Sequence, residues 1–121
     1  MGSPKDCVFC KIASGAINST KLFEDDSFIC VRDIQPQAKI HLLIIPKEHI
    51  ASLDEAYPLE GKNRGDIVAR MFETATKVAR KEKLLPGGFR SVVNTNRDGG
   101  QTVFHLHLHI LGGEPLGGAF G

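Results

Sequence analysis

The order of elements along the 121 residues predicts an α+β fold, in which one long and one short helix pack on a five-stranded antiparallel sheet. Three observations lead to this prediction. One long segment, residues 64–83, places apolar side chains at helical spacing. Residues 21–34 and 89–111 have the turn-separated pattern of β-hairpins. A run of four aliphatic residues between the hairpins supplies the fifth strand, in the order helix, hairpin, strand, helix, hairpin.

The first part of the chain predicts a short helix and a hairpin. Residues Cys7–Ser14 are apolar at helical positions, and Gly15 is suited to end the helix as a C-cap. The strands Lys21–Glu24 and Phe28–Ile34 follow. Asp25–Ser27 are turn-forming residues and connect these strands.

The middle of the chain predicts a buried strand and the long helix. His41–Pro46 contains consecutive aliphatic residues, which is typical of a central strand, and its proline ends it. Residues 51–62 are expected to be irregular. The helix Arg64–Lys83 is expected to have Asn63 as its N-cap, a basic last turn, and residues 86–88, Pro-Gly-Gly, as its end.

The last predicted strand, Val103–Leu111, alternates histidine with apolar residues and follows the strand Phe89–Thr95 after a loop. Side chains alternate faces along a strand, so His105, His107 and His109 share one face. The opposite face carries Phe104, Leu106, Leu108 and Ile110. Same-face neighbours lie about 6 to 7 Å apart and the outer pair about 13 Å, too far for one metal ion with bonds of about 2 Å. The three histidines are therefore expected to have different tasks.

Composition is that of an ordinary globular protein with a single domain, residues 1–121. Hydrophobic residues make up 41% and charged residues 24%, and the formal charge of +1 gives no general attraction to nucleic acid or membranes. There is no apolar leader and no stretch that approaches about 18 apolar residues. Three cysteines, an odd number, argue against a secreted disulfide scaffold. We therefore expect a soluble cytoplasmic protein without nucleic-acid or membrane partners.

Two cysteines at Cys-x-x-Cys spacing, Cys7 and Cys10, supply half of a tetrahedral zinc site. His49 and His105 are the candidate imidazole ligands. A structural zinc ion would attach the N-terminal segment to the sheet and stabilise a small core. A redox dithiol and a pair of inert thiols are the alternatives. Cys30 alternates with large residues in a strand and is expected to be a buried small hydrophobic residue.

If His105 binds zinc, His107 and His109 remain for catalysis. A neutral imidazole is a nucleophile towards phosphorus as well as a base, because its pKa near 6.5 leaves it mostly unprotonated at pH 7. The preceding Gly99–Thr102 segment offers backbone N–H groups and a hydroxyl to phosphate oxygens. Alternatively, residues 98–100 only form the hairpin turn.

The motif His-Leu-His-Leu-His-Ile-Leu resembles the signature of the histidine triad family, and its flanks Asp-Gly-Gly-Gln-Thr-Val and Gly-Gly resemble the Hint branch. The resemblance covers nearly the whole chain. It implies a homodimeric hydrolase of purine nucleoside 5′-phosphoramidates that forms a nucleotidyl-histidine intermediate. His107 matches the nucleophile, and His109 matches the histidine beside the phosphate and leaving group. His41 matches a histidine that supports the catalytic imidazole.

The same resemblance implies the remaining site residues. Asp33 matches the carboxylate that accepts hydrogen bonds from the ribose hydroxyls. The phosphate-contacting positions are Asn94, Gln101, Thr102 and Val103. The apolar positions around the base are Phe9, Ile12, Ile17 and Leu43. The structural zinc ligands are Cys7, Cys10, His49 and His105.

Two other functions remain open at this stage. One is dinucleoside polyphosphate hydrolysis, the Fhit-like activity within the same superfamily. The other is a zinc-stabilised nucleotide-binding or scaffold module with incidental turnover. The tail after Gly113 lacks the Trp-Pro-Pro ending of the animal enzymes, so the resemblance does not specify the leaving group.

Overall fold

The computed structural model describes residues 5–118 and confirms the α+β fold. Five strands form one sheet in the order β1-β2-β3-β5-β4, and every neighbouring pair is antiparallel. No helix among the described residues is long and apolar enough to span a membrane. The elements are α1 (Val8–Ser14), β1 (Phe23–Glu24), β2 (Phe28–Arg32), β3 (Ile40–Pro46), α2 (Leu53–Ala56), α3 (Gly65–Lys81), β4 (Phe89–Val92) and β5 (Leu108–Gly112).

The first hairpin and the central strand form as the sequence predicts. Asp25 makes the turn, because its Oδ1 accepts hydrogen bonds from the N–H groups of Ser27 at 2.8 Å and Phe28 at 2.7 Å. Strand β3 pairs with β2 on one side and with β5 on the other. Its consecutive aliphatic residues are therefore buried on both faces of the sheet.

Two apolar clusters cover the two faces of the sheet. The larger lies between the sheet and α3, and it includes Cys30, which is fully buried as expected. The smaller lies under α1 and includes Phe9, Val31 and Leu43. The face under α1 also receives the side chains of His105 and His107, so the chemistry of the chain lies on the side opposite α3.

The ends of the long helix differ from the prediction. Helix α3 begins at Gly65 with Arg64 as the capping residue, and Asn63 supports this turn through its Oδ1, which accepts the Gly65 N–H at 2.7 Å. The helix ends at Lys81, before the proline and glycines. Lys83 adopts a φ of 62°, and the Leu84 N–H donates to the Ala79 carbonyl at 2.8 Å. This left-handed C-terminal motif satisfies the last carbonyls and ends the helix early.

Four of the five predicted strands are longer than the observed ones, whereas β3 begins one residue earlier than predicted, at Ile40. Strand β5 begins at Leu108 rather than at residue 103, because Pro46 at the end of β3 has no N–H and its carbonyl accepts a hydrogen bond from the His105 side chain. Strand β4 ends at Val92, its last pairing position with β5, instead of at residue 95. Strands β1 and β2 are each two residues shorter than predicted. Residues 51–62, expected to be irregular, contain the short helix α2.

Candidate functional site

A cavity of about 370 Å³ lies between α1, the sheet and the loop that joins β4 to β5. Its volume is at the small end of the range typical of small-molecule sites. Two of the triad histidines, His107 and His109, lie in its wall together with Asp33. Apolar side chains form much of the rest, namely Val8, Phe9, Ile12, Val31, Ile34 and Leu43.

The tautomer of His107 is set by a backbone carbonyl. Its Nδ1–H donates to the carbonyl of His105 at 2.7 Å, which leaves the lone pair on Nε2. The Phe9 ring packs edge-on against it, with ring centroids 5.0 Å apart. Burial lowers the pKa of His107 below its ordinary value. His107 is therefore a neutral, oriented imidazole with an unprotonated nitrogen, as a nucleophile requires.

A second pair of imidazoles, His41 and His109, forms a hydrogen-bonded relay beside His107. The backbone N–H of Gln37 donates to His41 Nδ1 at 2.9 Å, so the ring N–H of His41 is on Nε2. That Nε2 lies 2.9 Å from His109 Nδ1 and donates to it. The proton of His109 is consequently on its own Nε2. The relay thus gives His109 an N–H, whereas His107 has a lone pair.

Burial of His109, with smaller effects from the nearby His107 and His41, lowers its pKa to about 4. His109 is therefore neutral at pH 7. The carboxylate of Asp33 acts in the opposite direction, because a negative charge favours the protonated imidazole. Asp33 Oδ2 lies 3.4 Å from His41 Nε2 and 3.9 Å from His109 Nδ1, and Oδ1 accepts the Gln35 N–H at 2.8 Å.

The four predicted metal ligands lie close together, with one ligand atom from each within 4.8 Å of the others. They are Cys7, Cys10, His49 and His105. The Sγ atoms of Cys7 and Cys10 lie 3.2 and 3.4 Å from His105 Nδ1, and Cys10 Sγ lies 3.2 Å from His49 Nδ1. In a tetrahedral zinc site with bonds of about 2.0 to 2.3 Å, sulfur and nitrogen ligands lie roughly 3.5 Å apart. The four residues therefore fit such an ion in both donor type and spacing.

The orientation of His105 also agrees with a cation at this cluster. His105 donates its Nε2–H to the Pro46 carbonyl at 2.7 Å, so the unprotonated Nδ1 faces the sulfurs, as a metal ligand would. Burial and the adjacent Cys7 raise the pKa of the Cys10 thiol to about 11. A zinc ion bound beside Cys10 would oppose this shift and favour the thiolate.

The structure brings most of the predicted substrate residues to the cavity. Phe9, Ile12, Leu43, Asp33, Asn94, Gln101, Thr102 and Val103 all line it. Ile17 does not line it, because α1 ends at Ser14 and Gly15, with a φ of 86°, turns the chain away. His41 is buried behind His109, outside the cavity wall. The N–H groups of Gln101 are occupied by bonds within the protein, so Gln101 cannot donate to a phosphate.

The sequence reasoning missed three apolar residues of the cavity, Val8, Val31 and Ile34. Ile34 is 95% exposed and follows Asp33, at the point where β2 has ended. An isoleucine at the start of a polar loop, directly after a predicted ribose ligand, is the signal that would have identified it. A large apolar side chain exposed beside a cavity is typical of a binding surface. Val8 is 40% exposed and lies on α1 next to Phe9.

The chain matches known proteins over nearly its whole length. A family model described as "Scavenger mRNA decapping enzyme C-term binding" matches residues 6–117. The purine nucleoside phosphoramidase of Escherichia coli K12 is 39% identical over 113 residues, which are 93% of this chain and 92% of that protein.

Two solved structures are also similar. The HIT family hydrolase from Legionella pneumophila is 46% identical, with a TM-score of 0.82 over 90% of this chain and 94% of that one. The zinc-bound histidine triad family protein from Mycobacterium smegmatis is 33% identical, with a TM-score of 0.77 over 91% of this chain and 76% of that one. With two of its triad histidines in the wall of the cavity described above, the chain belongs to the histidine triad family of hydrolases.

Proposed function

We propose that this protein hydrolyses the P–N bond of purine nucleoside 5′-phosphoramidates, such as AMP joined to an amine. The observation that carries this proposal is the orientation of His107, whose Nδ1–H is bound to a backbone carbonyl while Nε2 has the lone pair. The similarity to the purine nucleoside phosphoramidase of Escherichia coli supports the substrate class.

The first step of the proposed reaction is attack of His107 Nε2 on the α-phosphorus. A P–N bond to the imidazole forms, the P–N bond to the amine breaks, and the electron pair of that bond leaves with the amine. His107 keeps its Nδ1–H, which stays bonded to the His105 carbonyl and stabilises the charge that develops on the ring. Water then attacks phosphorus and gives a proton to His109, and the P–N bond to His107 breaks. This releases the nucleoside monophosphate and neutral His107.

In this proposal His109 assists departure of the amine. Its Nε2–H, fixed by the His41 relay, is the donor for the leaving nitrogen or a phosphate oxygen. A bound phosphate adds negative charge and raises the pKa of His109 above its value in the free site, so His109 takes up a proton from solvent when substrate is present. The protonated ring gives a proton to the leaving nitrogen and returns to its neutral form. Transfer of a proton by a positioned group of this kind contributes roughly 10² to 10⁴ in rate.

The residues that line the cavity suit one orientation of a bound nucleotide. Asp33 lies in the wall near His109, where its carboxylate can accept the ribose hydroxyls. Phe9, Ile12 and Leu43 offer the base an apolar surface. Asn94, Thr102 and Val103 remain the proposed phosphate-side residues, and Ile17 is left without a proposed role.

We propose a structural zinc ion at Cys7, Cys10, His49 and His105. A zinc ion with four protein ligands has no open position for substrate, and its contribution is to hold α1 against the sheet. The similarity to the zinc-bound protein from Mycobacterium smegmatis supports the choice of metal. Thiolate ligands need a reducing compartment, which supports the proposal of a cytoplasmic protein.

We also propose that the protein forms a homodimer and binds a purine nucleotide, and that it has no nucleic-acid or membrane partner. Strand β4 lies at one edge of the sheet, where Phe89–Val92 can pair with a second chain. Sedimentation of the purified protein tests the dimer.

Incubation with adenosine 5′-phosphoramidate tests the function. AMP should be released, and His107→Ala should reduce the rate by about three orders of magnitude or more because it removes the nucleophile. Lys77→Ala, on the exposed side of α3, is the matched control and should retain activity. Quenching in an alkaline denaturant, in which a P–N bond to imidazole survives, should trap a nucleotidyl adduct on the wild type and not on His107→Ala. A higher rate on diadenosine triphosphate would favour the Fhit-like activity, and tight AMP binding without turnover would favour a binding module.

A further inference from the structure

Gln101 is the one buried residue of a loop whose other residues are half-buried or exposed. We define the phosphate-side loop as residues 94–103, which join β4 to the triad segment. The side chains of Arg97 and Asp98 are 93% and 88% exposed, whereas Gln101 is only 7% exposed. A buried amide in an exposed loop needs internal partners, and these partners indicate its role.

The side chain of Gln101 makes three hydrogen bonds to backbone groups. Its Oε1 accepts the Asn96 N–H at 2.8 Å, and its Nε2 donates to the carbonyls of Ala51 at 2.8 Å and Val103 at 3.0 Å. Its own N–H donates to the Asn96 carbonyl at 3.0 Å. Gln101 thus connects both ends of the turn to residue 51, which lies outside the loop.

The backbone of this loop has an unusual conformation that needs such support. Asn96 has a φ of 59° and Gly100 a φ of 80°, both in the left-handed region. Gly99 packs so closely that an added Cβ would lie 2.5 Å from the Thr95 carbonyl oxygen. Such a conformation persists only when the surrounding bonds determine it.

We infer that Gln101 is a positioning residue that holds Thr102 and Val103 in place for the nucleotide phosphate. Gln101 binds the Val103 carbonyl directly, and both Thr102 and Val103 line the cavity that contains His107. This inference rests on the proposed function, since it assumes that a phosphate binds beside Thr102. It replaces the expectation that Gln101 contacts the phosphate itself.

Substitution of the amide by a nearly isosteric carboxylate tests this role. Gln101→Glu keeps an acceptor for Asn96 but loses both donors, so the Ala51 and Val103 carbonyls lose their partner. Gln101→Met removes all polar bonds without adding charge. Arg97→Ala, in the same loop but exposed, is the matched control.

The decisive measurement compares the affinities of AMP and adenosine by calorimetry. Both Gln101 variants should raise the Kd for AMP by about tenfold or more and leave the Kd for adenosine within about twofold, because only AMP has a phosphate. In hydrogen exchange, residues 95–103 should exchange faster while α3 is unchanged. Arg97→Ala should resemble the wild type in both measurements.

Three outcomes would overturn the inference. Unchanged AMP affinity in both variants would show that Gln101 does not position the phosphate-side loop. An equal loss of adenosine and AMP affinity would assign Gln101 to the general stability of the site. Failure of the wild type to bind AMP would refute the proposed function, and this inference with it.

Discussion

Replacement of His41 by phenylalanine should slow catalysis without weakening substrate binding. His41 lies outside the cavity wall, and its imidazole accepts the Gln37 N–H and donates to His109, each at 2.9 Å. Phenylalanine keeps the ring in the core but removes both bonds. His109 is then free to carry its proton on either nitrogen, and the orientation of its Nε2–H towards the cavity is lost.

The magnitude follows from the bonds that are lost. A buried partner left without its hydrogen bond costs roughly 1 to 3 kcal/mol. If that cost falls on the transition state, kcat should decrease by about ten- to a hundredfold, while KM should stay within about twofold. Gln37→Ala is the control, since only the backbone N–H of Gln37 contacts His41.

Steady-state kinetics on adenosine 5′-phosphoramidate measure the rate, and nitrogen NMR of labelled histidines reports the tautomers. In the wild type His109 should be protonated on Nε2, and in His41→Phe it should be a mixture. An unchanged kcat, or a wild-type His109 protonated on Nδ1, would refute the reasoning.

Three further predictions concern the metal, the loop and pH. Cys10→Ser should lower the zinc content and the melting temperature, whereas the control Cys30→Ala should keep the metal. Metal analysis that finds full zinc in Cys10→Ser would contradict the proposed site. Gly99→Ala should weaken AMP binding, because the added Cβ would clash with the Thr95 backbone. Gly87→Ala, whose Cβ would lie 3.8 Å from its nearest neighbour, should not weaken it. Equal AMP affinities of the two variants by calorimetry would count against this prediction. The pKa of His109 in the folded protein, about 4, lies below its value in the unfolded chain, so the unfolded state binds more protons between pH 6.5 and 4. The free energy of unfolding should therefore fall by on the order of 2 to 3 kcal/mol as the pH is lowered through that range. Urea unfolding of His109→Gln should show a smaller fall, and an identical fall would contradict the assignment.

Local chemistry made much of the fold predictable. The Asp25 turn and the apolar stripe of α3 depend on neighbours in sequence, and both formed as expected. The predicted alternation of the triad segment also holds at residues 105–107, which precede β5. Leu106 packs in the larger core, while His105 and His107 face α1.

The errors arose where distant residues decide the structure. The late start of β5 depends on the Pro46 carbonyl, 59 positions from His105 in sequence. The role of Gln101 depends on Ala51, 50 positions away. Periodicity within a segment contains no information about such partners.

The three bonding positions of His105 constrain how the protein can change. Nδ1 faces the cysteines, Nε2–H donates to the Pro46 carbonyl, and the backbone carbonyl accepts a hydrogen bond from His107 Nδ1–H. One core leucine, Leu106, lies between the two histidines. Insertion of one residue there would turn Leu106 out of the core and an imidazole into it. In a directed-evolution library, this dipeptide spacing must stay fixed, whereas the exposed side chains of Arg97 and Asp98 can be replaced.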